Sequence, residues 1–151
     1  MAFCYLGLGT NLGDKEQNLN NAIISVALEI GEVLSQSSFY ASESWGFQSE
    51  NEFLNAVVLV NTTLSPFDLL EKTQKIEREL GRAEKSSVGY ADRLIDIDIL
   101  LYDQLVIDQP TLKIPHPHIA ERDFVYIPLA EIAPDVIHPL LGTRIAEFLN
   151  Q

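Results

Sequence analysis

The chain has 151 residues, 46% hydrophobic and 21% charged, a balance that fits one globular domain over residues 1–151 and excludes a fibre or a disordered tail. Ten Lys and Arg against 22 Asp and Glu leave a net charge of −12, which disfavours a nucleic-acid surface and an anionic membrane surface alike. Cys4 stands alone, so no intramolecular disulfide forms and a cytoplasmic location is expected, and neither a signal peptide nor an apolar run long enough for a membrane span is read.

Along the chain, Ala2–Gly9 is an apolar run bounded by glycines and predicts a buried strand. The segment Gly7 to Gly13 is one residue too long for GxGxxG and reads better as a tight strand-to-helix turn, from which Asn11 can present its amide to a ligand. A helix follows, with Asp14 as cap, Gln17 in capping-box position, a stripe of Leu19, Ala22, Ile23, Val26 and Ile30, and Gly31 as a left-handed stop. Val33–Tyr40 predicts a weaker strand and Phe53–Thr62 a strong one, with Phe53, Asn55, Val57 and Leu59 on one face. Ser65, Pro66 and Asp68 open a second helix that Gly81 closes, its core stripe being Leu69, Thr73, Ile76 and Leu80. Leu94–Tyr102 predicts a strand, and Gln104–Ile114 a hairpin around Asp108-Gln109-Pro110. Beyond Pro115 an irregular stretch is expected, with a short amphipathic piece at Phe124–Ile132 and a last helix near Arg144–Leu149. The order β-α-β-β-α-β suits a ferredoxin-like α+β sandwich, a mainly antiparallel sheet with two helices packed on one face and long loops at the site.

Asp96 and Asp98 form the strongest constellation. Alternation puts both carboxylates on one face of a strand, about 7 Å apart, while Ile95, Ile97 and Ile99 face the core. Like charges there repel, and a hard divalent cation relieves that; the competing reading is the wet face of a half-exposed strand. Six of the ten basic residues, Lys72, Lys75, Arg78, Arg82, Lys85 and Arg93, fall just before this pair, as a bound polyphosphate requires. Helix-surface pairing with Glu71 and Glu79 accounts for Lys72, Lys75 and Arg78, but not for Arg82 and Arg93. Phe53 beside Asn55 suits a flat heterocycle that stacks and hydrogen-bonds along its edge, and equally an ordinary core ring. Ser42–Glu52, with Trp45, reads as a lid or a plain surface excursion. In Ile114–His118 two histidines stand in a proline-punctuated turn, where donation to phosphate fits better than zinc; Arg122 and Phe124 add a cation and a ring.

Six segments in one order, YLGLGTNLGD, SSFYASES, FLNAVV, QKIERELGR, RLIDIDILLYD and IPHPHIAERDFVYIPLAEIAPDVIHP, resemble 6-hydroxymethyl-7,8-dihydropterin pyrophosphokinase of folate biosynthesis. The resemblance implies a ferredoxin-like enzyme that transfers pyrophosphate from ATP to the pterin hydroxymethyl group. It implies two Mg²⁺ ions on Asp96 and Asp98, with Arg82, Arg93, His116 and Lys85 on the phosphates. Gln74, Glu77 and Ile99 line the nucleotide site, with Arg122 as a further cation, while Phe53 and Phe124 sandwich the pterin. Ser42, Asn55 and Asp96 meet the pterin's polar edge and Trp45 covers it. Partners are expected to be these small substrates alone, on a monomer or weak dimer. Tyr90-Ala91-Asp92-Arg93 and Pro117 depart from relatives that carry Trp-Gly-Pro-Arg and Tyr there. The rival from another class is a non-catalytic ligand- or metal-binding regulatory module.

Overall fold

The computed structural model describes residues 1–43, 52–81 and 94–151. Its elements are β1 (Ala2–Thr10), α1 (Lys15–Glu29), β2 (Gly31–Gln36), β3 (Tyr40–Ser42), β4 (Phe53–Thr62), α2 (Pro66–Leu80), β5 (Asp96–Tyr102), β6 (Ile107–Gln109), β7 (Leu112–Ile114), α3 (Asp123–Ile132) and a 3₁₀ helix at Ile145–Asn150. The main sheet runs β2-β4-β1-β5 with β3 also on β4, and every pairing within it is antiparallel. This is the expected ferredoxin-like order. β6 and β7 make the separate hairpin, whose turn falls at Pro110-Thr111, one residue later than read, because Gln109 pairs with Leu112.

Helix caps follow the sequence. The Asp14 carboxylate accepts from the Gln17 amide at 3.1 Å and the Ser65 hydroxyl from the Asp68 amide at 3.3 Å. Gln17 does not complete a capping box; its side chain donates to Asn21 instead. Gly31 is not a left-handed stop either, since among the described residues only Gly13 and Gly142 are glycines with positive φ. Gly31 is needed for a close approach: a Cβ there would stand 2.1 Å from the Asn61 carbonyl oxygen. The weak strand at 33–40 is split, β2 ending at Gln36 and β3 starting at Tyr40, because the Ser37 amide and hydroxyl bond Val57 between them.

The larger correction concerns layers. Residues alternate to the two faces of the sheet. Leu6, Leu8, Val58, Val60, Ile97 and Ile99 face α1 and α2, whose buried stripes include Leu19, Val26, Leu69 and Ile76. The other face is also covered: Tyr5, Val57, Leu100 and Leu101 pack against Val125 and Leu129 of α3 and Ile145 and Phe148 of the 3₁₀ helix. The segment from Ile119 through the 3₁₀ helix is thus a third layer, and no helix among the described residues is long and apolar enough to cross a membrane.

Candidate active site

The site sits where three strands meet at one end of the sheet, on the face that α3 covers only in part. Register places Gly9 of β1 between Asn55 of β4 and Asp96 of β5, and Gly7 between Val57 and Asp98. Gly9 opens the floor, since a Cβ on it would lie 3.2 Å from Asn55 Oδ1 and 3.7 Å from the Phe53 ring. Asp96 and Asp98 are half-buried on this face, while Ile95, Ile97 and Ile99 are buried on the other, as alternation predicts. Asn11 is fully buried.

Among the described residues β5 is an edge strand, and Glu77 of α2 reaches its outer side to accept from the Ile97 amide at 2.7 Å. Burial pushes the Glu77 carboxyl up to about 8, and the negative charges of Asp96 and Asp98 push the same way against the stabilising Ile97 amide. Glu77 therefore holds its proton more tightly than an ordinary glutamate, beside two acids. Among the described residues no three or more His, Cys, Asp and Glu side chains form a cage for a metal ion. Two carboxylates on one face still fit a Mg²⁺ ion, which takes its remaining ligands from phosphates and water.

Asp98, Ile99, Ile97, Lys113, Thr111 and His116 line a cavity of about 250 Å³. Burial lowers the His116 ring to about 4, helped by the charges of Arg122 and His118, so the ring is neutral. Its Nδ1 accepts from the His118 amide at 3.1 Å, which leaves the proton on Nε2 as a donor. Gln74 is exposed and lines a separate hollow on α2 with Lys72, Lys75 and Arg78. Lys75 meets Glu79 at 3.8 Å as the spacing suggests, but its shorter contact, 2.6 Å, is to Glu29 of α1.

On the other side of Gly9, a cavity of about 380 Å³ runs between β3 and the start of α3, with Tyr40 and Ser42 on one wall and Arg122, Phe124 and Ile127 on the other. The Asn55 amide donates to Ser42 Oγ at 2.7 Å and to the Tyr40 carbonyl at 3.1 Å, joining β4 to that wall. Arg122 lies 5.8 Å over the Phe124 ring centroid. The structure thus brings Asp96, Asp98, His116, Glu77 and Ile99 to one side of Gly9, and Ser42, Asn55, Phe53, Phe124 and Arg122 to the other. Trp45, Arg82, Lys85 and Arg93 lie outside the described residues. Sequence reasoning missed Tyr40, Lys113 and Glu131; for Glu131 the available signal was an acid in the last turn of a helix, where the dipole disfavours it.

The family model described as 7,8-dihydro-6-hydroxymethylpterin-pyrophosphokinase (HPPK) matches residues 5–134. A Porphyromonas gingivalis protein named 2-amino-4-hydroxy-6-hydroxymethyldihydropteridine pyrophosphokinase is 49% identical over 141 residues, covering 92% of this chain and 95% of its own length. An Aquifex aeolicus protein of the same name is 45% identical over 148 residues, 98% of this chain and 91% of that protein. The crystal structure of wild-type Plasmodium falciparum HPPK-DHPS with pterin and p-hydroxybenzoate has the same fold, with a TM-score of 0.79 at 16% identity over 99% of this chain. This chain spans 42% of that one. By these matches the chain belongs to the 7,8-dihydro-6-hydroxymethylpterin-pyrophosphokinase family.

Proposed function

We propose that this chain transfers the β,γ-pyrophosphoryl unit of ATP to the hydroxymethyl oxygen of 6-hydroxymethyl-7,8-dihydropterin, releasing AMP in folate biosynthesis. Family membership gives the reaction class. The observation that carries the site is a pair of half-buried acids opening between two cavities, with His116 in one and Ser42 and Phe124 in the other.

ATP occupies the cavity of Asp98, Ile99 and His116, with Glu77 beside the two acids; Gln74, in its own hollow on α2, and Arg122, in the wall across Gly9, would reach it only at its ends. The pterin lies between Phe53 and Phe124, its edge on Asn55 and Ser42, with Asp96 reaching it from across Gly9. Asp96 and Asp98 would hold Mg²⁺, two ions in all, and when bound the metal neutralises phosphate charge and orients the chain for attack. His116 donates its Nε2 proton to a phosphate oxygen as a neutral group. Arg82, Arg93 and Lys85 add positive charge, and Trp45 covers the pterin. The bond from the hydroxymethyl oxygen to the β-phosphorus forms as the bond from that phosphorus to the AMP oxygen breaks, and the hydroxyl proton passes to solvent water. Little else is asked of the protein than alignment and electrostatic stabilisation. Residues 1–151 act as one domain, as a monomer or weak dimer, in the cytoplasm; the free, buried Cys4 supports the last of these, a reducing compartment.

Purified protein with ATP, Mg²⁺ and the dihydropterin should give pterin-dependent AMP. ADP instead would make it a simple kinase, and no nucleotide turnover would favour the non-catalytic module. Asp98→Ala should abolish turnover with folding intact.

A further inference from the structure

Resting on the assignment of the β3–α3 cavity to the pterin, we infer that Glu131 is a positioning residue for that substrate, holding β3 at a fixed distance from α3 and so setting the width of the pocket. Glu131 does not line the cavity. It lies one residue from the end of α3, seven after Phe124 and four after Ile127, so the three share one stripe of the helix facing β3.

The wall opposite needs support. Among the described residues β3 has three residues and pairs with β4 alone, Tyr40 with Asn55 and Ser42 with Phe53. A strand that short is weakly held by its ladder. Glu131 ties down the chain at its entry: the Ser38 amide donates to Oε1 at 3.0 Å and Oε2 at 3.1 Å, the Ser38 hydroxyl to Oε2 at 3.0 Å, and the Tyr40 hydroxyl to Oε1 at 2.7 Å. Helix stability does not account for an acid there, because the last turn of a helix carries partial negative charge. The Tyr40 hydroxyl, followed by the Ser38 donors, holds this carboxyl below its ordinary range, so the four contacts are made to an ionised group. From Tyr40 the network continues, its carbonyl taking the Asn55 amide that also donates to Ser42. One carboxylate at the far end of α3 thereby fixes the groups that meet the pterin edge relative to Phe124 on the same helix.

The test compares full-length wild type, Glu131→Gln, Tyr40→Phe and the double variant. Binding of 6-hydroxymethylpterin is read by its fluorescence with Mg²⁺ and α,β-methylene-ATP present, alongside KM for each substrate and the melting temperature. Each single variant should weaken pterin binding about tenfold, as expected for a slightly misplaced wall, with KM for ATP and melting temperature close to wild type. The double variant should be no worse than the poorer single one, because both changes break one network. Unchanged pterin binding in the variants overturns the inference. So does an equal loss for both substrates with a lower melting temperature, which marks a merely structural residue. Should Glu131→Gln fail to fold, Tyr40→Phe decides on the same readouts. Wild type that neither binds pterin nor forms AMP would overturn the proposed function and this inference together; wild type that does both, beside variants that bind equally well, overturns this inference alone.

Discussion

At His116 a single backbone amide decides the chemistry of a side chain. Because the His118 amide donates to Nδ1, the ring can offer only Nε2–H to the cavity it lines with Asp98 and Ile99, and burial, which lowers its ordinary value to about 4, keeps it neutral. Nitrogen NMR of the free protein should therefore show the Nε2–H tautomer, unchanged from pH 5.5 to 8. A titration inside that range would rule this out. Glu77 gives a prediction of opposite sign. Its folded value near 8 lies above the ordinary 4.5, so between those values the folded chain keeps a proton that the unfolded chain has released. Stability from this group is thus present below about pH 4.5 and lost as pH rises to about 8. Without Mg²⁺, the melting temperature of wild type should fall more from pH 5 to 8 than that of Glu77→Gln; parallel curves would refute it. Asp96 and Asp98 were legible as a pair because a period of two puts both on one face of an apolar strand, and the basic residues just before them favoured a metal and phosphate site over a merely wet face. Glu131 was not, since its partners Ser38 and Tyr40 lie more than 90 residues away.

Elements differ in how much of their geometry their own residues dictate. α2 was readable end to end, with Ser65, Pro66 and a buried stripe of Leu69, Thr73 and Ile76. Gly31 was misread, because a glycine after a helix most often marks a left-handed cap, and only tertiary packing reveals the Asn61 carbonyl against it. Gly31→Ala would gain about 0.4–1 kcal/mol from a stiffer unfolded chain, but forcing β2 from β4 costs about 1–3 kcal/mol. Net destabilisation is expected in urea titration, and a stabilised variant would contradict the close approach. Gly9→Ala should behave differently. Its Cβ would press on Asn55 Oδ1 and not on backbone, so pterin KM should rise while stability changes little.

Across the whole molecule, the third layer was the least readable feature. The sequence marks an amphipathic piece at Phe124–Ile132 and a helix near Arg144–Leu149, close to α3 and the 3₁₀ helix, but nothing in those residues shows which face of the sheet they cover. Both nevertheless close the second face, where the Phe148 ring meets Tyr126 and His138 edge-on at 6.2 and 6.0 Å. Phe148→Ala should cost about 3–5 kcal/mol in one cooperative unfolding transition; two separated transitions would mean that this layer folds apart from the sheet. The placement of Gly9 between Asn55 and Asp96 carries a consequence for the reaction itself. The backbones that carry Asn55 and Asp96 stand two interstrand spacings apart, about 10 Å, a length fixed by the hydrogen-bonded strands between them. It works as a ruler that no side-chain replacement can rescale. Variation can alter the side chains at either end, but the distance between the strands that carry them is inherited with the sheet.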